Sequence, residues 1–248
     1  MKLISRLSVA LLLVFSVSAQ ANAKENQGVL VIGGTGNLGS YHVKQLSAAG
    51  ERVIVLARSS STYQRIEGST YEVVIADLRD AEAVTAAIME AKPAVIIDAS
   101  NVPGIRMDDG DTFYWHSMRT LVAAAKDAGV TQIIRHSARG AREMLTQAPP
   151  TFRDEPRIIN YMRDVARAEI ALEQSNTDSP VAYTIIRNSK LPPEPAEPTG
   201  GGVLSPDLTL DLGITRSDLA RITNTCILNE ACYGQTLNGI DPTMETAP

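Results

Sequence analysis

Aromatic residues and cysteines are both scarce in this chain of 248 residues. Phe, Trp and Tyr together make up 4% of it, so the hydrophobic core must be built largely from Val, Ile, Leu and Ala. That composition is typical of buried parallel strands flanked by alanine-rich helices. The two cysteines, Cys226 and Cys232, are too few for a disulfide scaffold, although a single bridge between them is possible.

Positive charge and histidine are also in short supply. The formal net charge is −5, which argues against the phosphate backbone of a nucleic acid as a partner. The three histidines, His42, His116 and His136, do not follow the spacing of metal ligands, so no metal site is predicted. The sequence therefore favours neither nucleic-acid binding nor metal chemistry.

No hydrophobic run reaches the roughly 20 residues that a bilayer-spanning helix needs. The N-terminal run, residues 7–17, follows two basic residues and precedes Ala21-Asn22-Ala23, the small-residue pattern of a secretory cleavage site. The sequence predicts that residues 1–23 are a signal peptide and that residues 24–248 form an exported, periplasmic protein. An uncleaved N-terminal segment that tethers the protein to a membrane is the alternative. Export motivates the hypothesis of a Cys226–Cys232 disulfide.

Short β-branched runs alternate with longer stretches of helical period along the predicted mature chain. This alternation predicts an α/β fold, a Rossmann-like doubly wound parallel sheet whose strands are buried on both faces. The last strand is predicted to close one edge, and a minimal C-terminal substrate-side segment replaces a second domain. A loop rich in proline and glycine, residues 191–206, is predicted to be slack, with helical period resuming at Ser217. The predicted strands are residues 29–32, 52–56, 72–75, 95–97, 132–134, 183–186 and 236–240.

A glycine-rich turn, Gly33-Gly34-Thr35-Gly36-Asn37-Leu38-Gly39, connects the first predicted strand to the first predicted helix. Glycines at positions 33, 36 and 39 let the chain turn sharply, bring backbone N–H groups close to a pyrophosphate and pack the helix against the strand. The positive end of the helix dipole adds to the attraction for phosphate. The predicted dinucleotide-binding residues of this turn are Gly33, Thr35, Gly36, Asn37, Leu38 and Gly39.

Residues at the ends of the next strands indicate which dinucleotide binds. Arg58 follows the second strand, where an acidic residue would hold the ribose of NAD and an arginine accommodates the 2′-phosphate of NADP. NADP is therefore the predicted cofactor, with NAD as the alternative. Asp77 and Leu78 follow the third strand, where the carboxylate can accept a hydrogen bond from the adenine amino group. Ser100, after the fourth strand, completes the predicted cofactor-binding set, and Asp80 is predicted to cap the next helix.

Together these residues resemble the atypical short-chain dehydrogenase/reductase superfamily, in particular the NmrA-like and isoflavone-reductase-like NAD(P)-binding proteins, over residues 29–240. In that superfamily a serine near the end of the fifth strand holds the substrate carbonyl, and a Tyr-x-x-x-Lys motif on the next helix transfers protons. Ser137 and Tyr161 match the serine and the tyrosine, and the resemblance implies that both are catalytic. Val165 stands at the lysine position, so the cation that activates the tyrosine is missing there.

The resemblance implies NADP(H)-dependent hydride transfer to a small organic substrate. The alternative is a dinucleotide-binding or sensor module without turnover, which Val165 and the export signal favour because soluble nicotinamide pools are cytoplasmic. Lys190, Arg163 and Arg167 are candidates to supply the missing charge. Neither arginine shares the helical position of the lysine, and Lys190 is expected to be a solvated loop residue.

The remaining proton-transfer candidates are histidines. His136 directly precedes Ser137 and, on a strand, would point to the opposite face, so His136 is predicted to be structural. His116 follows Tyr114 and Trp115 on a crossover helix, and this cluster is a candidate wall of the nicotinamide pocket.

Overall fold

The computed structural model of the chain describes residues 28–101, 112–147, 155–175, 180–188 and 191–244. The predicted signal peptide, residues 1–23, and Lys190 lie outside these ranges. None of the helices within them is long and apolar enough to cross a membrane.

The strands of the described ranges form a single sheet. They are β1 Val29–Ile32, β2 Val53–Ala57, β3 Glu72–Ile75, β4 Val95–Asp98, β5 Gln132–Ala138, β6 Ala182–Asn188, β7 Val203–Ser205 and β8 Gln235–Ile240. Their order across the sheet is β3-β2-β1-β4-β5-β6-β8-β7. All neighbours are parallel except β7 and β8, which are antiparallel. This mostly parallel sheet confirms the predicted α/β Rossmann-like fold.

Helices cover both faces of the sheet. They are α1 Gly39–Ala48, α2 Ala81–Ala91, α3 Phe113–Ala128, α4 Pro156–Ser175 and α5 Arg216–Asn224, with short 3₁₀ helices at Gln64–Ile66, Glu143–Leu145 and Glu230–Cys232. Alternate side chains of a strand point to opposite faces, so β1 contributes to two cores. Leu30 and Ile32 pack with α2, α3 and α4, whereas Val29 and Val31 pack with α1 and α5.

The predicted strands agree closely with the observed ones, but the prediction of burial on both faces is wrong for β3. Val73 is 41% exposed and Ile75 is 55% exposed. These side chains are exposed because β3 lies at the edge of the sheet and pairs only with β2 among the described strands. A β-branched run indicates a strand, but the sequence of that run does not reveal that the strand lies at an edge.

The prediction that the last strand closes the sheet is also wrong. β8 lies between β6 and β7, and β7 is formed by the end of the proline- and glycine-rich segment 191–206. That segment is not slack, because the backbone N–H groups of Thr199 and Gly200 donate to the Asp218 carboxylate at 2.8 and 3.1 Å. Pro206 directly follows β7, and proline is tolerated there because β7 is an edge strand, which needs few backbone hydrogen-bond partners. The following helix begins one residue before Ser217, with Thr215 as its N-cap.

A disulfide joins Cys226 and Cys232 just after α5, which confirms the hypothesised bridge. Buried polar side chains of the sheet hold both cysteine carbonyls. Gln132 Nε2 donates to the carbonyl of Cys226 at 3.0 Å, and Thr184 Oγ1 donates to the carbonyl of Cys232 at 2.8 Å. The bridged turn is therefore attached to β5 and β6.

Candidate functional site

A cavity of about 670 Å³ lies at the carboxyl ends of the parallel strands. Ligands of doubly wound folds bind in this place, beside the point where successive crossovers leave the sheet in opposite directions. Here that point is β1, which has β2 on one side and β4 on the other. The cavity wall includes every predicted cofactor-binding and catalytic residue except Gly39, which belongs to the packing beneath the turn.

The glycine turn is shaped by backbone contacts that leave no room for side chains. Gly33 has φ +75°, and a Cβ there would lie 2.7 Å from the carbonyl oxygen of Ala99. A Cβ on Gly39 would lie 2.1 Å from the carbonyl oxygen of Gly33. The N–H of Gly36 donates to that same oxygen at 2.8 Å, which closes the turn.

The turn leads directly into the N-terminus of α1. Leu38 occupies the N-cap position and has no side-chain hydrogen bond to the first turn among the described residues. The N–H groups of Ser40 and Tyr41 donate to the carbonyls of Gly36 and Leu38, so an anion would meet the earlier amides of the turn, where the helix dipole favours negative charge. The geometry therefore fits a phosphate group.

Arginines surround one end of the cavity. Arg58 lies at the carboxyl end of β2, and its backbone N–H donates to Ser61 Oγ at 3.0 Å. Two further arginines, Arg65 and Arg79, also line the cavity and were missed by sequence reasoning. Their position in the chain could have indicated them, because Arg65 follows β2 and Arg79 follows β3, and both strands end at the same edge of the sheet as β1. Arginine binds phosphate through a planar fork of donors, so this end suits a phosphorylated ribose.

The residues after β3 have defined local roles. Asp77 Oδ1 accepts the backbone N–H of Arg79 at 2.9 Å, which orients the Arg79 backbone. The guanidinium of Arg79 lies 5.1 Å from the ring centroid of Phe113. Asp80 Oδ1 accepts the N–H of Ala83 at 3.0 Å, which confirms its predicted role as the N-cap of α2.

The two predicted catalytic residues lie at the other end of the cavity. Ser137 is near the end of β5 and Tyr161 is on α4, where Val165 and Glu169 follow at successive turns of the same face. Ser137 Oγ donates to Glu169 Oε1 at 2.5 Å. The hydroxyl hydrogen of Ser137 therefore points at Glu169. In this arrangement Ser137 can donate to a substrate carbonyl only after it turns away from that residue.

Glu169 is fully buried and balanced by two arginines. Arg187 donates to both carboxylate oxygens, from Nε at 3.0 Å and from Nη2 at 2.7 Å, and Arg142 Nε donates at 2.9 Å. These charge-assisted hydrogen bonds fix the orientation of the buried carboxylate. This cluster rigidly supports the cavity wall beneath Ser137.

Tyr161 is held as a neutral phenol. Burial raises its pKa above the normal value, and the charge of Arg135 and a hydrogen bond with Tyr114 only partly offset this increase. The rings of Tyr161 and Tyr114 meet edge to face with centroids 5.6 Å apart. Tyr161 can therefore give a proton at neutral pH but is a poor base.

A buried cation, Arg135, lines the same cavity as Tyr161 and Val165. It extends from β5, is 1% exposed, and forms an ion pair with the buried carboxylate of Asp98 at the end of β4. Its guanidinium carbon lies 5.4 Å from the ring centroid of Tyr114. Sequence reasoning missed Arg135, because it sits inside an apolar run and its partners are distant in the chain.

Other candidates for the missing charge have different roles. Arg163 donates from Nε to the carbonyl of Met144 at 2.9 Å and is outside the cavity wall. Arg167 is exposed. His116 is exposed on α3 and, like Trp115, does not line the cavity. Of the predicted cluster only Tyr114 lines the cavity, together with two other aromatic residues, Phe113 and Tyr161.

The cavity contains buried polar atoms that have no hydrogen-bond partner among the described residues. These are Ser100 Oγ, Arg135 Nε and His136 Nδ1, all near the ends of β4 and β5. Buried polar groups are nearly always satisfied, so such atoms in a cavity wall indicate a polar ligand. The glycine turn, the arginines and these atoms together fit a phosphorylated dinucleotide. No cluster of potential metal ligands occurs in the described part of the chain.

Comparison with known proteins agrees with this geometry. A family described as NAD(P)H-binding matches residues 33–230. Among curated proteins, a 3-diazoavenalumate denitrifying reductase from Streptomyces sp is 29% identical over 175 residues, which is 66% of this chain and 56% of that reductase. The match thus spans little more than half the length of that relative.

Solved structures share the fold at low sequence identity. A Bacillus halodurans protein assigned as an NAD-dependent epimerase/dehydratase is 22% identical with a TM-score of 0.72, covering 88% of this chain and 96% of that one. ChuY, an anaerobillin reductase from Escherichia coli O157:H7, is 20% identical with a TM-score of 0.69, covering 88% and 99%. A short-chain dehydrogenase/reductase from Veillonella parvula in complex with NADP is 14% identical with a TM-score of 0.65, covering 88% and 95%.

Proposed function

The chain belongs to the NAD(P)H-binding family that matches it over residues 33–230, and from this premise we propose that it is an NADPH-dependent reductase of a small organic substrate. One observation carries the proposal. A single cavity combines a phosphate-binding glycine turn with a protonated Tyr161 that lies near a buried cation, Arg135. The name of the curated relative, a reductase, supports the same class of reaction.

The proposed nucleotide-binding residues divide between two groups. The backbone of the Gly33–Gly39 turn and the N-terminus of α1 hold the pyrophosphate. Arg58 holds the 2′-phosphate, supported by Arg65 and Arg79, which line the same end of the cavity. The position that selects NAD through an acidic residue holds Arg58 instead, which supports NADPH over NADH.

Tyr161 is the proposed proton donor. When bound, the nicotinamide supplies the hydride, and the substrate atom that becomes negative needs a proton. The buried, neutral hydroxyl of Tyr161 gives that proton, and the positive charge of Arg135 stabilises the phenolate that remains. In the oxidative direction the same tyrosine would have to begin ionised, which its raised pKa disfavours at neutral pH.

Replacing Arg58 by serine tests the cofactor assignment. We expect the variant to bind NADPH roughly ten-fold or more weakly, because a charge-assisted contact to the 2′-phosphate is lost, while NADH binding is unchanged. Isothermal titration calorimetry measures both affinities. Arg52→Ser is the matched control. Arg52 precedes β2, at the opposite end of the strand from Arg58, and pairs with Glu72 at 2.7 Å. An equal loss for both nucleotides, or no loss at all, would contradict the assignment.

A dinucleotide-binding module without turnover is the second candidate function. It is favoured by the hydrogen bond that directs Ser137 toward Glu169 and by the absence of a lysine at Val165. Oxidation of NADPH in the presence of a panel of aldehydes, ketones and quinones separates the two candidates. Turnover that Tyr161→Phe abolishes supports the reductase, whereas tight NADPH binding without turnover supports the module.

We further propose that the mature protein begins after residue 23 and acts in the periplasm. The Ala21-Asn22-Ala23 motif and the Cys226–Cys232 disulfide support this location, because structural disulfides persist in oxidising compartments. Mass spectrometry of protein purified from its native compartment should find an N-terminus at Lys24 and a bridged cysteine pair. An intact Met1 N-terminus would indicate the tethered alternative.

A further inference from the structure

A chain of partly buried hydrogen bonds, of which the last is fully buried, runs from the surface side of α1 and α5 to the cavity. Gln45 Nε2 donates to the backbone carbonyl of Ser217 at 2.9 Å. Asn224 Nδ2 donates to Gln45 Oε1 at 3.1 Å, and Asn224 Oδ1 contacts His42 Nδ1 at 2.7 Å. His42 Nε2 contacts His136 Nε2 at 2.9 Å. The chain thus ends at His136 in the cavity wall.

The backbone carbonyl of Ser217 determines the donor and the acceptor of every hydrogen bond in this series. A backbone carbonyl can only accept, so Gln45 presents its NH₂ group to Ser217 and its oxygen to Asn224. Asn224 must then present its own oxygen to His42, which makes His42 Nδ1 the protonated nitrogen. Burial holds the pKa of His42 down at about 4, so His42 is neutral at neutral pH and its Nε2 is an acceptor.

The same reasoning assigns the tautomer of His136. Because His42 Nε2 accepts, His136 Nε2 must carry the hydrogen that lies between the two rings. Burial, and then the nearby His42 and Arg135, lower the pKa of His136, so this ring is neutral as well. Its Nδ1 is therefore an unprotonated acceptor. His136 is 8% exposed, and Nδ1 has no hydrogen-bond partner among the described residues.

We propose that His136 is a ligand-recognition residue whose Nδ1 accepts a hydrogen bond from the carboxamide N–H of the nicotinamide. This inference rests on the proposed function. With the pyrophosphate at the glycine turn and the 2′-phosphate at Arg58, the nicotinamide half extends toward β4 and β5, where His136 lies. A neutral acceptor suits a neutral amide donor. A buried acceptor without a partner is unfavourable in free energy, and a hydrogen bond from the carboxamide would remove that penalty.

NMR of the histidine ring nitrogens tests the proposal directly in the wild-type protein. We expect Nε2 of His136 to be protonated and Nδ1 bare in the free protein. NADPH should shift the Nδ1 resonance in the direction of an accepted hydrogen bond. Adenosine 2′,5′-bisphosphate, which carries the 2′-phosphate and the adenosine 5′-phosphate but no nicotinamide nucleotide, should leave it unchanged. A protonated Nδ1 in the free protein, or an Nδ1 that NADPH does not shift, would overturn the assignment.

A pair of variants adds an affinity measurement. His136→Phe removes the acceptor and keeps a planar ring, so NADPH should bind about ten-fold more weakly while the affinity for adenosine 2′,5′-bisphosphate is unchanged. His116→Phe is the control, since His116 is exposed on α3. An equal loss for both nucleotides would indicate a structural role for His136 and overturn the proposal. Failure of the wild-type protein to bind either nucleotide would instead overturn the proposed function, and the assignment with it.

Discussion

Replacing Gly39 by alanine is expected to weaken nucleotide binding severely and to destabilise the domain. The new Cβ would lie 2.1 Å from the carbonyl oxygen of Gly33 and 2.6 Å from its carbonyl carbon. Both atoms are backbone, so no flexible side chain can move aside. α1 must separate from the turn, and the hydrogen bond from Gly36 N–H to that same oxygen is lost with it.

Two consequences follow for Gly39→Ala. Binding of NADPH should fall by about a hundred-fold or more, because contacts between amides and the charged pyrophosphate need the intact turn. The free energy of unfolding should fall by about 1–3 kcal/mol, the usual cost of forcing extra atoms into a packed site. Calorimetry and urea denaturation measure the two effects.

Gly129→Ala is the matched control for this variant. Gly129 ends α3 with φ +73°, so an alanine there is strained, but its Cβ would meet no atom within 4 Å. We expect that control to lose roughly 1 kcal/mol of stability and to bind NADPH normally. If Gly39→Ala behaved in the same way as this control, the proposed phosphate-binding turn would be wrong.

Replacing Arg135 by methionine is expected to cost about 3–5 kcal/mol of stability. Arg135 and Asp98 are each 1% exposed and form an ion pair, and removal of one partner leaves a buried charge without compensation. The remaining hydrogen bond to Asp98, from the N–H of Ser100 at 3.0 Å, does not neutralise the carboxylate. Urea denaturation measures the loss.

A double variant separates stability from chemistry at this site. Arg135→Met combined with Asp98→Asn removes both charges, so most of the stability should return. Turnover should not return, because Arg135 is the charge that lowers the pKa of Tyr161 against the effect of burial. The tyrosine would then titrate at still higher pH. Full recovery of NADPH oxidation by the double variant would show that Arg135 is purely structural.

The sequence predicted the fold because the pattern that indicates it is local. Strands β1 and β3 have the predicted bounds, and the glycine turn has the predicted position between β1 and α1. Buried parallel strands need continuous apolar runs, and a pyrophosphate needs glycine at fixed spacing, so both can be identified within a few residues. The edge strand β7 was missed, since three residues among prolines and glycines form no comparable pattern.

The sequence by itself determined the family and the fold class, and it predicts the cofactor-binding half of the site, with Arg58 as the residue proposed to favour NADP. Only the tertiary structure decided the chemistry of the other half. Arg135 reaches Asp98 across 37 residues, Ser137 reaches Glu169 across 32, and His42 reaches His136 across 94. Hydrogen-bond direction, burial and the pairing of opposite charges arise only when such distant groups meet. Tyr161 and Ser137 can be matched to a motif, but their protonation and orientation depend on neighbours that no local pattern identifies.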